Sequence, residues 1–542
     1  FIVRSAASLV RLSLFSPVQG LLRHFATTDS SPNILLIIVD DLRPSLGCYG
    51  DTKAHTPNID LLARRSVLFT QAYAQQSLCA PSRNSFLISR RPDTLKLYDF
   101  YSYWREKVGN FTTLPEHLKN NGYRTMSIGK VFHPGCSSNG SDDSPYSWSE
   151  KPFHPFTERY KEAPLSPKKK NVCPVYVSEM PNKTLPDIET LIAAKSFIGK
   201  HRGDKKPFFL AVGFQKPHIP LKYPQEYLKH HPLDKFSVPD NYKWPDNVSN
   251  IAYNPWTDLR KRQDIKNLDL KFPYEKIPSD YARLIIQSYY AAVTYVDELI
   301  GLLIKQLTFY NLQRRTTIIL ISDHGWSLGE HGEWAKYSNF EVALRVPVII
   351  SIPGVTYNPT HGNSMIELVD VFPTIAEMVN LPIPICPDEA SGWYNDNRVS
   401  QYSNPCSEGI SFLPSISWKT GVFSQYPRPG IVPTLIPNSD EPRLDQITIM
   451  GYTLKTRGFR YTAWLPFNHS TETADWSVTI AEELYNHELD VDENFNIATE
   501  EEYYERKIKL KTQLKSGWRK ALPEFSRNLL KYIRRNNFRE IL

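Results

Sequence analysis

Acidic residues follow two apolar segments of this chain and suggest a metal site. Asp40-Asp41 comes directly after one apolar run, and Asp323-His324 comes directly after another. Taken alone, such a pair is more often a helix cap and an exposed loop acid. If the runs are strands that share a sheet edge, three carboxylates converge and repel one another unless a cation lies between them. Oxygen-rich ligation favours Ca²⁺ or Mg²⁺ over Zn²⁺, and His324 either binds the ion or orients a neighbour.

A set of basic residues follows the same kind of strand-like segment or lies near Cys79. Each alone is typical of a surface charge or a structural histidine, but together, beside a metal, they suit a small tetrahedral dianion or its monoester. Cations neutralise the oxygens of such a group, and a histidine can protonate a leaving alkoxide. If a helix runs from Cys79 to Phe86, its first N–H groups also face the anion. The basic residues are Arg83, Lys130, His133, His218 and Lys336.

Apolar, β-branched runs alternate with amphipathic segments and predict the elements that position these side chains. Continuous apolar strands are typical of a sheet covered on both faces. Strand–helix alternation predicts an α/β fold with a large doubly wound, mostly parallel or mixed sheet and helices on both faces, whose ligands bind beyond the carboxyl ends of the strands. We predict strands over 34–39, 125–128, 207–214, 316–322 and 346–352, and helices over 56–68, 113–121, 283–307 and 366–380.

A smaller C-terminal α+β subdomain is predicted beyond a stretch rich in Pro, Asn, Ser and Gly near 387–415. Segments 446–455 and 459–464 alternate around Thr456-Arg457-Gly458, which predicts an antiparallel hairpin. The expected division is a targeting segment (1–28), a catalytic α/β domain (31–408), the antiparallel-sheet subdomain (409–499) and a charged helical tail (500–542).

Bulk charge and composition exclude some function classes. The net charge is +7, of which the segment 500–542 carries +6 (12 Lys/Arg less 6 Asp/Glu) and 1–28 carries +3, so the remainder is −2. The basic pI therefore does not indicate nucleic-acid binding. We find no apolar run long enough for a transmembrane segment.

Two sequence features bear on targeting. The segment 1–28 has no acidic residue and suits either a signal peptide or a transit peptide. Five Asn-x-Ser/Thr triplets favour the secretory pathway; they begin at Asn110, Asn139, Asn182, Asn247 and Asn468.

Among six cysteines, Cys386 with Cys406 is the preferred disulfide prediction and Cys136 with Cys173 a weaker one. Cys79 opens the pentapeptide Cys79-Ala80-Pro81-Ser82-Arg83, which resembles the sulfatase signature Cys-x-Pro-Ser-Arg. Longer strings extend the resemblance from about residue 32 to about residue 494. They include YDFYSYWRE (98–106), GKVFHPG (129–135), DDSPYSWS (142–149), QKPHIP (215–220), SDHGWSLGEHGEWAKYSNF (322–340), SQYPRP (424–429) and ELYNHELDVDENFN (483–496).

The resemblance implies a formylglycine nucleophile made from Cys79 by a maturation enzyme, and one Ca²⁺ per subunit. The calcium ligands would be Asp40, Asp41, Asp323 and His324, completed by the oxygen at residue 79. Arg83 would steady the formylglycine hydrate, and Lys130 and Lys336 would bind sulfate. His218 would protonate the leaving sugar oxygen, and His133 would help to regenerate the aldehyde.

Within that family the long strings are most similar to the branch that removes the 2-O-sulfate of terminal iduronate. The resemblance implies an exo-acting enzyme that acts on heparan and dermatan sulfate fragments in the lysosome. It would reach the lysosome by the secretory pathway. A sulfatase with another sulfate ester, a phosphoesterase of the wider superfamily, and a non-catalytic glycosaminoglycan-binding protein with unconverted Cys79 remain alternatives. Leu87-Ile88-Ser89-Arg90 departs from the usual Leu-Thr-Gly-Arg, which bears on how efficiently Cys79 is converted.

Overall fold

The structure is a computed structural model that describes residues 31–160, 170–362, 364–382, 407–413 and 419–522. The predicted targeting segment, the Cys386–Cys406 pair and the end of the charged tail lie outside those residues. Within them the strands are β1 (Asn33–Val39), β2 (Val67–Tyr73), β3 (Arg124–Gly129), β4 (Val172–Val175), β5 (Phe208–Phe214), β6 (Leu221–Pro224), β7 (Thr316–Ser322), β8 (Ser327–Leu328), β9 (Trp334–Ala335), β10 (Arg345–Ser351), β11 (Thr360–Gly362), β12 (Ile366–Glu367), β13 (Val422–Arg428), β14 (Ile449–Lys455), β15 (Phe459–Asn468), β16 (Thr473–Ala474) and β17 (Ala481–Asn486).

Helices cover both faces of the main sheet. In chain order they are α1 (Pro57–Ala63), α2 (Cys79–Ile88), α3 (Pro92–Leu95), α4 (Trp104–Val108), α5 (Leu114–Asn120), α6 (Pro186–Lys200), α7 (Thr257–Arg260), α8 (Gln263–Lys266), α9 (Ser279–Phe309), α10 (Glu341–Leu344), α11 (Val371–Met378), α12 (Tyr504–Ser516) and α13 (Trp518–Ala521). Helices α1, α6 and α9 pack on one face, and α2, α5 and α11 pack on the other. None of the described helices is both long and apolar enough to span a bilayer.

The main sheet has the order β11-β2-β10-β7-β1-β5-β3, with β12 also paired to β2. Strands β7, β1, β5 and β3 are parallel, whereas β10 runs antiparallel to both β7 and β2. All seven residues of β1 are buried: Leu35 and Ile37 join the core on one face, and Leu36 and Ile38 join the core on the other. This two-sided burial explains why its sequence is continuously apolar. The predicted doubly wound, mixed α/β fold is confirmed.

A second, antiparallel sheet has the order β13-β14-β15-β16, with β17 on β15, and confirms the predicted antiparallel-sheet subdomain. Its hairpin joins β14 to β15 through Thr456-Arg457-Gly458, as predicted. Helix α12 buries Leu510 and Leu514 in the core of this sheet, so the described part of the charged tail packs as a helix. The predicted division at residues 408–409 stays a prediction.

Three local predictions were wrong. The helix predicted over 56–68 ends at Ala63, because residues from Val67 onward pair with β10 and form β2. The helix predicted over 366–380 begins only at Val371, because Ile366–Glu367 pairs with β2. Cys136 and Cys173 are both free thiols, which contradicts the weaker disulfide prediction.

Candidate active site

The carboxyl ends of four parallel strands meet at one point of the main sheet. Val39 of β1 lies beside Ser322 of β7, so the next residues of the two strands, Asp40 and Asp323, emerge together. On the other side of β1, strand β5 is followed by β3, whose end delivers Lys130. A Cβ on Gly213 of β5 would lie only 1.9 Å from the carbonyl oxygen of Lys130, so glycine is needed for this close approach. The topology therefore gathers the residues that the sequence places after separate strands.

Cys79 is the first residue of α2, and all ten residues of that helix are buried. Arg83, one turn later, ties the helix to the strand ends: its Nε lies 2.9 Å from Asp323 Oδ2 and its Nη2 lies 3.0 Å from Asp40 Oδ1. Ser82 Oγ also donates to the Asp323 backbone carbonyl at 2.5 Å. The start of α2 is thus fixed against both acidic strand ends.

Two lysines converge on the sulfur of Cys79. Lys336 Nζ lies 3.0 Å from the Cys79 sulfur, and Lys130 Nζ lies 3.5 Å from it. Burial and Asp40 raise the pKa of the thiol, but the two lysine charges outweigh them, so its pKa lies below the usual value. Residue 79 therefore occupies an electropositive position in which an anionic group is stabilised.

The predicted metal ligands form two overlapping groups of side chains whose candidate ligand atoms lie within 4.8 Å of one another. Asp40 and Cys79 belong to both groups; Asp323 and His324 complete one, and Asp41 with His218 completes the other.

The donor atoms of these groups fit a cation. Asp41 Oδ2 is buried and has no hydrogen-bond partner among the described residues. Burial first, and then Asp40, raises the pKa of Asp41 to about 7, although Lys336 lies 2.8 Å from its other oxygen. An unmatched carboxylate oxygen beside further carboxylates is a position that a divalent cation would fill.

Both candidate catalytic histidines lie near this cluster. His218 Nε2 is 4.0 Å from Asp41 Oδ2, and its Nδ1 is 2.5 Å from the Ile219 carbonyl oxygen. His133 stacks on Phe100 with ring centroids 4.4 Å apart. Burial, followed by the charge of Lys130, lowers the pKa of both imidazoles well below the usual value. The surroundings therefore favour the neutral form of each ring.

A cavity of about 410 Å³ opens onto this cluster. Six of the predicted site residues line it, namely Asp40, Cys79, Lys130, His133, His218 and Lys336. The other four are buried within the cluster, namely Asp41, Arg83, Asp323 and His324. All ten predicted residues thus meet at one site.

The cavity wall also contains residues that the sequence did not single out. They include Tyr101, Lys216, Asp258, Lys261 and Glu441. Lys216 has a structural reason to be there, because its ammonium donates to the His218 and Pro220 backbone carbonyls. Asp258 and Glu441 follow no strand of the main sheet, so the strand-end signal could not have found them.

The chain is similar in sequence to known sulfatases. The family model described as Sulfatase matches residues 32–381. The chain is 44% identical to "Iduronate 2-sulfatase" of Mus musculus, over 91% of this chain and 94% of that protein. It is 46% identical to "Iduronate 2-sulfatase" of Homo sapiens, over 85% and 90% of the two chains.

Solved structures support the fold. A putative sulfatase from Bacteroides thetaiotaomicron superposes with a TM-score of 0.62 at 19% identity, covering 95% of each chain. A phosphonate monoester hydrolase from Silicibacter pomeroyi superposes with a TM-score of 0.65 at 18% identity, covering 93% of this chain and 96% of the other. At such identities the likeness concerns the fold.

Proposed function

The chain belongs to the sulfatase family, and we propose that it removes the 2-O-sulfate of terminal iduronate from heparan and dermatan sulfate fragments. The two iduronate 2-sulfatases are similar to it over nearly their whole length. The observation that carries the proposal is the convergence of Lys130 and Lys336 on residue 79, since two ammonium groups beside a nucleophile suit a sulfate ester.

Two groups that the family implies would fit the site. Ca²⁺, held by Asp40, Asp41, Asp323 and His324, would supply a Lewis acid that polarises a sulfate oxygen. Oxidation of Cys79 to formylglycine would supply an aldehyde whose hydrate offers a hydroxyl nucleophile at the position of the thiol. Arg83 would hold that nucleophile in a fixed position. It makes charge-assisted contacts with the carboxylates of Asp40 and Asp323.

The histidines supply the proton transfers in this proposal. His218 would protonate the leaving C2 oxygen of the sugar, because the negative charge of a bound sulfate ester favours the imidazolium form. His133, whose Nδ1 atom is buried and has no hydrogen-bond partner among the described residues, would accept the proton whose removal expels sulfate. Lys130 and Lys336 would hold the sulfate oxygens while the ester bond breaks.

Maturation and location belong to the same proposal. Cys79 is 1% exposed at the start of a fully buried helix, so a formylglycine-generating enzyme would need to act before α2 is packed. All five sequon asparagines are exposed, which supports a secretory route to the lysosome; they are Asn110, Asn139, Asn182, Asn247 and Asn468.

Mass spectrometry of the tryptic peptide that contains residue 79, combined with a substrate panel, tests the proposal. We expect formylglycine at residue 79 and sulfate release from a disaccharide with a terminal 2-O-sulfated iduronate. Unmodified cysteine throughout would favour the glycosaminoglycan-binding alternative. If residue 79 is formylglycine but sulfate is released only from N- or 6-O-sulfated sugars, the substrate assignment is wrong. The same holds if only phosphate esters are hydrolysed.

A further inference from the structure

Asp258 lies on the wall of the active-site cavity with one carboxylate oxygen unused. It is the second residue of α7 and is 9% exposed. Its Oδ2 accepts a hydrogen bond of 2.7 Å from the Tyr337 hydroxyl, whereas its buried Oδ1 has no partner among the described residues. Such an oxygen costs about 1–3 kcal/mol, which a ligand's donor could recover.

The position of Asp258 relative to the reacting centre is fixed through Tyr337. Tyr337 directly follows Lys336, whose ammonium lies 3.0 Å from the Cys79 sulfur. Tyr337 thus connects Asp258 to the residue that faces Cys79, and Asp258 and Lys336 line the same cavity. A sugar with its sulfate ester at residue 79 would share that cavity with Asp258.

The backbone of Asp258 is also held in place. Asp440 accepts from the Thr257 hydroxyl at 2.5 Å and from the Asp258 backbone N–H at 3.2 Å. Both contacts fix the start of α7 against the loop that leads to β14. A carboxylate held this way is pre-organised for a ligand contact.

The wall around Asp258 offers acceptors for a hydroxyl group. Glu441 lines the same cavity, and burial, followed by the charge of Asp440, raises its pKa to about 8, so its carboxyl group can hydrogen-bond to a hydroxyl in its neutral form. Asp258 Oδ1 can accept from a hydroxyl, whereas an ionised sulfate or carboxylate has no proton to donate to it. The ammonium of Lys261 on the same wall leaves room for the negative groups of the sugar.

We propose that Asp258 accepts a hydrogen bond from the free 4-hydroxyl of the terminal sugar and so makes the enzyme selective for chain ends. This inference rests on the proposed function. In a chain joined through O4, an internal residue has a glycosidic bond at that oxygen and no proton to donate. Only the non-reducing terminal residue can satisfy Asp258 Oδ1.

The test compares kcat/KM for two disaccharides: the 2-O-sulfated iduronate substrate with a free 4-hydroxyl, and its 4-deoxy counterpart. Wild-type enzyme should prefer the hydroxyl by about 10- to 100-fold, the range for a hydrogen bond to a charged group. Asp258→Ala should lose most of that preference. Tyr337→Phe, which removes only the hydroxyl that orients the carboxylate, should lose part of it. The preference is a ratio within one enzyme preparation, so differences in folded fraction and in conversion of Cys79 cancel.

Asp246→Ala is the matched control, because it removes an aspartate whose side chain is 77% exposed, and it should keep the full preference. A wild-type enzyme that treats both disaccharides alike, or an Asp258→Ala variant that keeps the wild-type ratio, would overturn the inference. If Asp258→Ala does not fold, an unchanged ratio in Tyr337→Phe overturns it and a reduced ratio supports it. Wild-type inactivity on the free-hydroxyl disaccharide is a separate result that overturns the proposed function and, with it, this inference.

Discussion

Two buried charge clusters in this protein are alike in composition but differ in how fully their oxygens are bonded. The junction cluster consists of Arg91, Glu367, Asp370 and Lys419, and it lies between α2 and the second sheet. Arg91 makes two contacts of 2.7 Å with Glu367, and Lys419 contacts both Glu367 and Asp370 at 2.6 Å. Backbone N–H groups of Phe423 and Ile410 complete the set, so every carboxylate oxygen of the junction cluster has a partner.

The active-site cluster, by contrast, leaves acceptor capacity unmet. Asp41 Oδ2 has no partner among the described residues, and burial raises the pKa of Asp41 to about 7. In the junction cluster burial also raises the pKa of Glu367, but Arg91 and Lys419 outweigh it and lower that pKa to about 2. The comparison teaches that the carboxylate oxygens of the junction cluster are all bonded within the protein, whereas those of the proposed cation and substrate site are not.

Asp323→Ala should have the largest effect, because it removes a proposed Ca²⁺ ligand from the active-site cluster and one of the two carboxylates that orient Arg83. We expect sulfate release to fall by at least about 1,000-fold, comparable with the loss of a preorganised electrostatic group. Calorimetric titration with Ca²⁺ should show no saturable binding.

Two further variants make that result interpretable. Asp323→Asn keeps the side-chain shape and tests the charge alone if the alanine variant does not fold. Asp280→Ala removes a 99% exposed carboxylate and should leave activity and Ca²⁺ binding intact. Retained turnover in both Asp323 variants would remove this residue from the ligand set.

Glu367→Gln breaks the junction cluster and should act on folding instead. The substitution leaves Arg91 and Lys419 buried with fewer counter-charges, a loss that costs about 3–5 kcal/mol of the free energy of unfolding. Urea denaturation measures the change. Glu150→Gln, which alters a partly exposed ion-pair group, should cost less than about 1 kcal/mol. If both variants lose the same free energy of unfolding, the junction cluster stabilises the fold no more than a surface ion pair does.

The same cluster predicts a pH dependence of stability. The pKa of Glu367 falls from 4.5 to about 2 on folding, so its contribution is complete above about 4.5 and is lost as the pH falls towards 2. Between about pH 5 and about pH 3, wild type should therefore lose about 2 kcal/mol more than Glu367→Gln. Urea midpoints for both proteins at these two pH values measure the difference. If both proteins lose the same unfolding free energy between these pH values, other carboxylates dominate acid unfolding.

The sequence predicts the active-site cluster well because its signal is local. Each acid or base follows a continuous apolar run or lies in a short motif, and parallel strands bring their carboxyl ends to one edge. The parallel strands β1, β3, β5 and β7 were predicted within two residues at each end. The convergence of Asp40, Asp323 and Lys130 followed from that topology.

Other features depend on partners that lie far away in sequence. The first two residues of β2 were predicted as the end of a helix, because only the pairing with β10 makes Leu68 a strand residue. The junction cluster joins residues that are 276 positions apart in the chain, such as Arg91 and Glu367. Asp258 lies on a four-residue helix with no periodic pattern, so nothing in its neighbourhood marks it as a cavity residue.

Ser89 follows α2, between Arg83 of the active-site cluster and Arg91 of the junction cluster in the chain, and should show the smallest effect. It stands where the family pattern usually has Gly, and its backbone is left-handed (φ 56°, ψ 41°), a conformation that glycine adopts at little cost. Its hydroxyl compensates by donating to the Val369 carbonyl oxygen at 2.6 Å, by contacting the Ser407 hydroxyl at 2.7 Å and by accepting from the Gly409 backbone N–H at 3.3 Å. Ser89→Ala should lose about 1–2 kcal/mol of unfolding free energy, because it keeps the left-handed backbone and loses these three contacts. Ser89→Gly should lie within about 1 kcal/mol of wild type, since relief of backbone strain offsets the lost hydrogen bonds. Thermal unfolding of the three proteins measures the order, and a glycine variant less stable than the alanine variant would contradict the argument.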